Sequence, residues 1–519
     1  MTDDTKASEP ASGRTAKQYV LGVQTLYVLL GNLFPLLISW PLQVYVSQVL
    51  GAEGIGTYAL IEGSIGAAGV LLGLGIGNTA VRFLPAHLRL GEFGLAKGLI
   101  RQGLLLLSII GGVGFFAVLV SLNWVEYLWS ALALYRWEIG VMALFIPLSL
   151  CSFFLQQCLR GMNAIGPMIF GTMILQIVLR AVAVLALLSI GWQLRGYIVA
   201  NLFAAACGAL WLSAVVLRRM RSFDETRAAT KILAEWRRYA MICYSESLVG
   251  ALASALEQLI LGFWMGPASV GVLSVARQLR QLPERFNQML LMTGAPMLSA
   301  AHGYSNSAER QYLYNAMTRW SVIASLPLIL FLLFFGRELL ALYGSEFAAQ
   351  GWFPLMTLTA GQLFSLLCGP VGNVAMMSGL EKQSVHVTVW QSILSTIVLV
   401  PFVIWWGVNG AAITLAGNVI FNNVALVILV RCKLDLKWWD MSYIAWLPIV
   451  GAAVCVAGLA MEFLPPVHPA ELVLVAIFMY AAAIGAMVVF GMSEDDRVIA
   501  RVIGARIMAI LRIQSLRGE

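Results

Sequence analysis

The chain has 519 residues, of which 60% are hydrophobic and 11% charged, and a mean hydropathy of +0.84, whereas soluble domains carry about 25% charged residues. That composition excludes a soluble globular enzyme and requires lipid as solvent. The net charge of +7 follows from membrane topology, as argued below, and not from nucleic-acid binding.

An α-helix needs about 20 apolar residues to cross a hydrocarbon core of about 30 Å. Stretches of that kind are predicted at 19–46, 54–78, 102–121, 139–158, 167–189, 197–217, 240–263, 269–292, 316–335, 353–377, 386–406, 410–430, 442–462 and 471–491. The expected fold class is an all-α integral membrane protein with about fourteen transmembrane helices. Residues 1–18 are polar, with neither a short apolar segment nor a small-residue cleavage site, and are read as an uncleaved N-tail.

An even number of spans puts both termini on one side of the membrane. Of the 33 Lys and Arg residues, only Arg136, Arg195 and Arg337 fall in the outer set of loops, and Arg180, Arg277, Arg280 and Arg285 fall within spans. The rest lie in the tails and the opposite set of loops, which are therefore cytoplasmic. The expected location is the bacterial inner membrane. All outer loops are short and rich in aromatic residues such as Trp124, Trp129, Trp137 and Trp352, as at a water–lipid boundary.

The basic segment from Arg218 to Arg238 divides the chain. The expected organisation is a six-helix bundle over 19–217, a cytoplasmic linker over 218–239, a second six-helix bundle over 240–430, two additional spans within 431–491, and a cytoplasmic tail over 492–519. That tail carries acidic residues at its start and later arginines among apolar positions, the pattern of an amphipathic helix on the leaflet surface. The first outer turns of the two halves are alike: Leu50-Gly51 is followed by Ile55-Gly56, and Met265-Gly266 by Val270-Gly271. The fourth spans end similarly, in Arg160-Gly161 and Ser378-Gly379, each glycine suited to a left-handed helix cap. Two parallel repeats about an axis along the membrane normal are expected, as in transporters with a central cavity.

Ionisable residues inside spans are costly and usually face a bundle interior or a watery cavity. Arg277, Arg280 and Glu284 fall within about 60° of one another around the eighth span, with Arg285 next in sequence. Glu246 and Glu257 share one face of the seventh span, and counting back from the turn near Gly266 puts Glu257 level with Ser274 to Arg277 and Glu246 near Arg285, so interhelical ion pairs are possible. The first half contributes Gln24, Asn32 and Gln43 in the first span, Glu62 in the second and Arg180 in the fifth. For each of these the structural alternative is an internal hydrogen bond or ion pair. Two arginines one turn apart repel unless an anion or a carboxylate compensates them, and an anionic ligand would do so. The 4 histidines are scattered without metal spacing, the 7 cysteines read as packing residues, and no cofactor motif appears.

Several segments in order resemble the polysaccharide-transporter branch of the multidrug/oligosaccharidyl-lipid/polysaccharide (MOP) exporter superfamily, the O-antigen-type flippases. They are Leu50 to Tyr58, Leu72 to Gly75, Arg82, Leu159 to Asn163, Pro296 to Ser299, Leu342 to Phe347 and Gly407 to Ala412. The resemblance implies a twelve-span core of two pseudo-symmetric bundles, here with two added spans, working by alternating access and not an enzyme. It implies as cargo an undecaprenyl-diphosphate-linked oligosaccharide, bound in a cationic cavity to which Arg277, Arg280, Arg285, Arg180 and Arg82 would contribute. Glu246, Glu257, Glu284 and Glu62 are candidates for ion pairing or coupling, and Gln24 and Asn32 for polar cavity lining. Expected partners are the lipid-linked glycan, membrane lipids and the polysaccharide polymerase and chain-length proteins; the expected state is a monomer, with no nucleic acid, metal or cofactor. The alternatives are a cation-coupled multidrug antiporter of the same superfamily and, from another class, a membrane glycan ligase or polymerase, for which the outer loops are too short.

Overall fold

The computed structural model describes residues 11–128, 134–222, 234–303, 307–436, 451–452, 456 and 469–490. All regular structure among them is helical. The first half comprises α1 (Ala11–Gly73), α2 (Ile76–Arg89), α3 (Phe93–Leu128), α4 (Arg136–Ala143), α5 (Phe145–Gly161), α6 (Ile165–Ile169), a π-helical turn (Phe170–Leu175), α7 (Gln176–Ser189) and α8 (Gln193–Arg221). The second half comprises α9 (Ala234–Met265), α10 (Pro267–Gly303), α11 (Ser307–Tyr343), α12 (Ser345–Cys368), α13 (Val371–Met377) and α14 (Glu381–Leu434), followed by α15 (Pro469–Phe490).

Two helices are too long to cross a bilayer once. Straight, the 63 residues of α1 would extend about 95 Å. Gly51 interrupts it with φ 66°, a left-handed conformation open to glycine without steric cost, and the chain turns back. The reversal is visible in Tyr197 of α8, which receives contacts from both arms. Its hydroxyl approaches Gln43 Oε1 at 3.4 Å, and its ring lies 4.6 Å from that of Tyr58. Gly407, with φ 56°, breaks the 54-residue α14 in the same way. The first and second spans, and the eleventh and twelfth, are thus helical hairpins.

Among the described residues, nine helices are long and apolar enough to cross a membrane. The charges of α10 keep it out of that group although it occupies the eighth predicted span. Along α3 the exposed side chains Leu105, Ile109, Val113, Phe116 and Val120 recur every three or four residues, one helix face given to lipid. The protein is a multi-pass membrane protein. The predicted thirteenth span (442–462), apart from residues 451, 452 and 456, and the amphipathic tail lie outside the described residues. The fourteenth corresponds to α15, which packs on α11 and whose Tyr480 hydroxyl donates to the Ala324 carbonyl at 2.7 Å.

Three local features differ from expectation. The second span ends at Gly73, and the chain passes through left-handed Leu74 and Gly75 into α2, so 76–89 is helical where a loop was expected from 82 onward. Its buried residues Gly77, Ala80, Leu84 and His87 follow helical spacing on one face. Gly161 is not a cap: it lies buried inside α5, where a Cβ would stand 2.8 Å from the Ala80 carbonyl oxygen, and Asn163 takes the left-handed position instead. Gly379 is left-handed as expected. In the fifth span, Trp211 Nε1 donates to the Pro167 carbonyl at 3.0 Å and its ring fills the space beside Gly171. This contact from α8 lies beside the π-helical turn Phe170–Leu175.

The halves meet through their two glycine turns. A Cβ on Gly56 would collide with the Pro267 carbonyl, and one on Gly271 with the Ala52 carbonyl. Counting from Gly51 and Gly266, these are corresponding positions, so the contact is reciprocal, as in a two-fold interface. Further inward, Gly63 abuts Gln258, Gly75 abuts the Ala240 carbonyl, and the Tyr244 hydroxyl donates to the Leu71 carbonyl at 2.8 Å. The second and seventh spans are thus in contact along their whole length.

Alanine at position 56 or 271 puts a methyl group against main chain that cannot rotate away, at an overpacking cost of about 1–3 kcal/mol. Purified Gly56→Ala and Gly271→Ala proteins should each melt at a lower temperature than the parent, while Gly250→Ala, which meets nothing within 4 Å, should serve as the neutral control in the same thermal-unfolding experiment.

Candidate functional site

The repeat fixes the depth of the charged residues. Glu62 follows Gly51 by the same number of residues as Arg277 follows Gly266, which puts both about 16 Å below their turns. The two halves therefore carry opposite charges at equivalent positions in the middle of the membrane.

In the second half, the guanidinium of Arg277 on α10 forms an ion pair with Glu257 on α9. One turn further, Arg280 Nη1 donates to Gln362 Oε1 of α12 at 2.7 Å, and its Nη2 lies 3.6 Å from Glu284 Oε2. Arg277, Arg280 and Glu257 retain side-chain exposures of only 22%, 16% and 12%, against 36% for Glu284. Two arginines are thus balanced by two carboxylates of unequal hold: Glu257 is sequestered with Arg277, while Glu284 is loosely placed and half exposed. Arg285 is exposed and stands apart from the cluster. Within this cluster of side chains, protein carboxylates supply the compensation for the two arginines that a ligand was expected to bring.

The first half has a corresponding group. Arg180 Nη2 on α7 donates to the Tyr197 hydroxyl at 2.7 Å, and the Tyr58 hydroxyl donates to Glu62 Oε1 at 3.4 Å. Arg180 and Glu62 interact electrostatically, and Glu62 is exposed although it stands midway along its span. Arg82 belongs elsewhere. It lies at the inner end of the molecule with its guanidinium 4.4 Å from the Tyr239 ring centroid, beside Phe83, Trp236 and His87, whose ring stands 5.7 Å from that of Trp236. It packs where the two halves meet, against Phe83 of its own helix and Tyr239 of α9, and does not join Arg277 and Arg280. The side chains of Gln24, Asn32 and Glu246 lie outside those described.

A cavity of about 190 Å³ opens between α9 and α14, lined by Ser254, Glu257, Ser392, Ser395, Thr396 and Asn418 together with small and apolar residues. Of these, only Glu257 stands out in the sequence; single hydroxyls in apolar helices carry little signal, since most bond to their own backbone. Gln362, Tyr58 and Tyr197 were missed as well. The one available hint is that each is a polar group in an otherwise apolar span. Among the described residues, no group of three or more His, Cys, Asp or Glu side chains could hold a metal ion.

The sequence matches the family described as polysaccharide biosynthesis protein over residues 21–302, more than half of the chain. The chain belongs to this polysaccharide biosynthesis protein family. No curated protein matches it by sequence. Several solved structures share the fold. An inward-facing multidrug resistance MATE family transporter of the MOP superfamily superposes with a TM-score of 0.67 at 15% identity, covering 77% of this chain and 94% of that one. The lipid II flippase MurJ, in an inward closed conformation, gives 0.63 at 13% identity over 88% and 98%. A MOP superfamily transporter from Pyrococcus furiosus, whose binding pocket is described as of reverse polarity, gives 0.59 at 14% over 79% and 94%. This member of the polysaccharide biosynthesis family therefore has the MOP transporter fold.

Gln362 holds Arg280 without neutralising it. Gln362→Leu leaves a guanidinium donor without its partner at a buried position, a loss of about 1–3 kcal/mol, and differential scanning of the purified protein should register a lowered midpoint. Arg82→Ala removes a cation–π contact of about 0.5–2 kcal/mol. A cysteine introduced at position 240, beneath that contact, should be labelled faster by a water-soluble maleimide in the Arg82→Ala background than in the parent, with equal labelling counting against a role for Arg82 in closing that contact.

Proposed function

We propose that this protein is a flippase that moves an undecaprenyl-diphosphate-linked oligosaccharide from the cytoplasmic to the periplasmic leaflet of the bacterial inner membrane. It works by alternating access of its two halves, as a monomer with both termini cytoplasmic, and serves export of a surface or exopolysaccharide alongside a polymerase and chain-length proteins. The observation that carries this reading is Arg280, a mid-membrane guanidinium whose close partner is the neutral amide of Gln362. Its charge is met only by the half-exposed Glu284 at 3.6 Å, one turn from Arg277, and paired guanidinium donors match the oxygens of a diphosphate. Family membership supports polysaccharide assembly as the setting, and the lipid II flippase among proteins of the same fold supports a lipid-linked cargo.

A second reading, a cation-coupled multidrug antiporter, draws on the balanced charge of the site and on a carboxylate beside a polar cavity. It predicts binding of cationic dyes and indifference to lipid diphosphates.

Replacing Arg277 and Arg280 together by Gln removes both anion-binding side chains. Each charge-assisted contact is worth about 1.5–3 kcal/mol, so surface polysaccharide should fall at least about tenfold in cells whose membranes hold the variant at parental level. Undiminished export at equal protein level would eliminate these residues from the mechanism.

A further inference from the structure

We infer that Gln362 determines which sign of charge the site accepts: its amide contacts the anionic headgroup together with Arg280, and its neutrality is what lets that arginine serve an anion. This rests on the flippase reading and names the residue that sets the polarity of the same site.

A guanidinium has donors only, so the amide oxygen of Gln362 must be the atom that faces Arg280, and it lies 2.7 Å from Nη1. The two N–H bonds of Nε2 then point away from the arginine, and among the described residues nothing receives them. Gln362 is only 6% exposed, and donors so placed are costly to leave unmet. An oxygen of a diphosphate beside Arg280 would meet them. Arg280 has the same need. Of its five donors Gln362 takes one, and Glu284 stands 3.6 Å from Nη2, beyond hydrogen-bond length, and is half exposed.

The backbone behind the amide is held by α14. A Cβ on Gly361 would stand 3.1 Å from Ala416, and three residues on from Gln362 the Ser365 hydroxyl accepts from Asn423 Nδ2 at 3.1 Å. The donors therefore reach the site on a fixed helix, and little ordering is left to do when an anion arrives.

A glutamate has the length of a glutamine and would also accept from Arg280. As a carboxylate, however, it has no hydrogen to give and cancels the charge. Arg277, held by Glu257, is such an ion pair. The first half also uses a neutral holder, since Arg180 Nη2 donates to the Tyr197 hydroxyl at 2.7 Å. One atom at position 362, nitrogen or oxygen, separates an anion site from a closed salt bridge.

Full-length parent, Gln362→Glu and Gln362→Leu proteins in nanodiscs are compared for binding of a short-chain polyprenyl diphosphate and for melting temperature. Gln362→Glu should bind the diphosphate at least about tenfold more weakly than the parent, the loss of one charge-assisted contact, and should melt no lower, since it completes an ion pair. Gln362→Leu keeps the charge of Arg280 and loses its holder. It should melt lower than the parent yet bind the diphosphate more tightly than Gln362→Glu. The two variants then rank oppositely in binding and in stability, which a residue that only packs cannot produce. Equal diphosphate binding by Gln362→Glu and the parent, or binding that falls in the same order as melting temperature, overturns the inference and leaves the flippase reading in place. A parent protein that binds no polyprenyl diphosphate removes the flippase reading itself.

Discussion

An ionised side chain at the centre of a bilayer must have a counter-charge or water within reach, and the arrangement of this molecule follows from that requirement. The only guanidiniums at mid-membrane depth among the described residues, Arg180, Arg277 and Arg280, sit on helices that face other helices, each with an oxygen partner on a neighbouring element. Two of those partners, on α8 and α9, lie on the helix adjacent in sequence, and the third, on α12, lies 82 residues away, so the charges tie hairpin arms together and one of them ties on a more distant helix. Apolar packing alone gives little register between helices in lipid, where the surroundings are as apolar as the interface. Polar pairs of this kind can supply it.

The glycine turns supply a second kind of register. Gly51 and Gly266 reverse the chain at one end of the bundle, and the residues five positions beyond them meet across the pseudo-two-fold axis with backbone against backbone. Because the contact is between main-chain atoms, it sets the vertical offset of the two halves more tightly than side chains could. That offset puts Glu62 and Arg277 at one depth. The repeat has kept the scaffold and diverged in the charge it presents, giving one half a carboxylate where the other has a guanidinium.

How far the sequence discloses this depends on the kind of constraint involved. Span positions in the core, the glycine reversals and the Arg277–Glu257 level follow from residue counting, since a helix turns about 100° and rises about 1.5 Å per residue. Two antiparallel helices joined by one short turn leave little freedom. Gln362 is a different case. It lies 82 residues from Arg280, two helices on, and no count along the chain brings the two together. The α2 helix was hidden for another reason: its polar face, with Arg82 and Arg89, depresses hydropathy, and a membrane-span criterion passes over an amphipathic surface helix. Arg82 was consequently grouped with the cavity arginines, although it packs where the two halves meet. The contact of Trp211, on another helix, beside the π-helical turn could not have been read from Phe170 to Leu175 alone.

That carboxylates already compensate the central arginines bears on what a transporter of anions requires. A chamber of unpaired arginines would bind a diphosphate strongly and then retain it, since nothing on the far side would take its place. Conduction through any membrane site needs binding strong enough to enter and weak enough to leave. A carboxylate that already holds one of the two arginines lowers the net affinity by its own attraction for that arginine. In the proposed flippase it would also reclaim the guanidinium as the cargo departs, so that the site would return to a compensated state without passing through one in which a mid-membrane charge is bare. In the proposed flippase, Arg280, held by an amide, would attract the incoming headgroup, and Arg277, held by Glu257, would be yielded only once that headgroup was in place. On that proposal, the unequal pairing of two arginines one turn apart would divide capture from commitment.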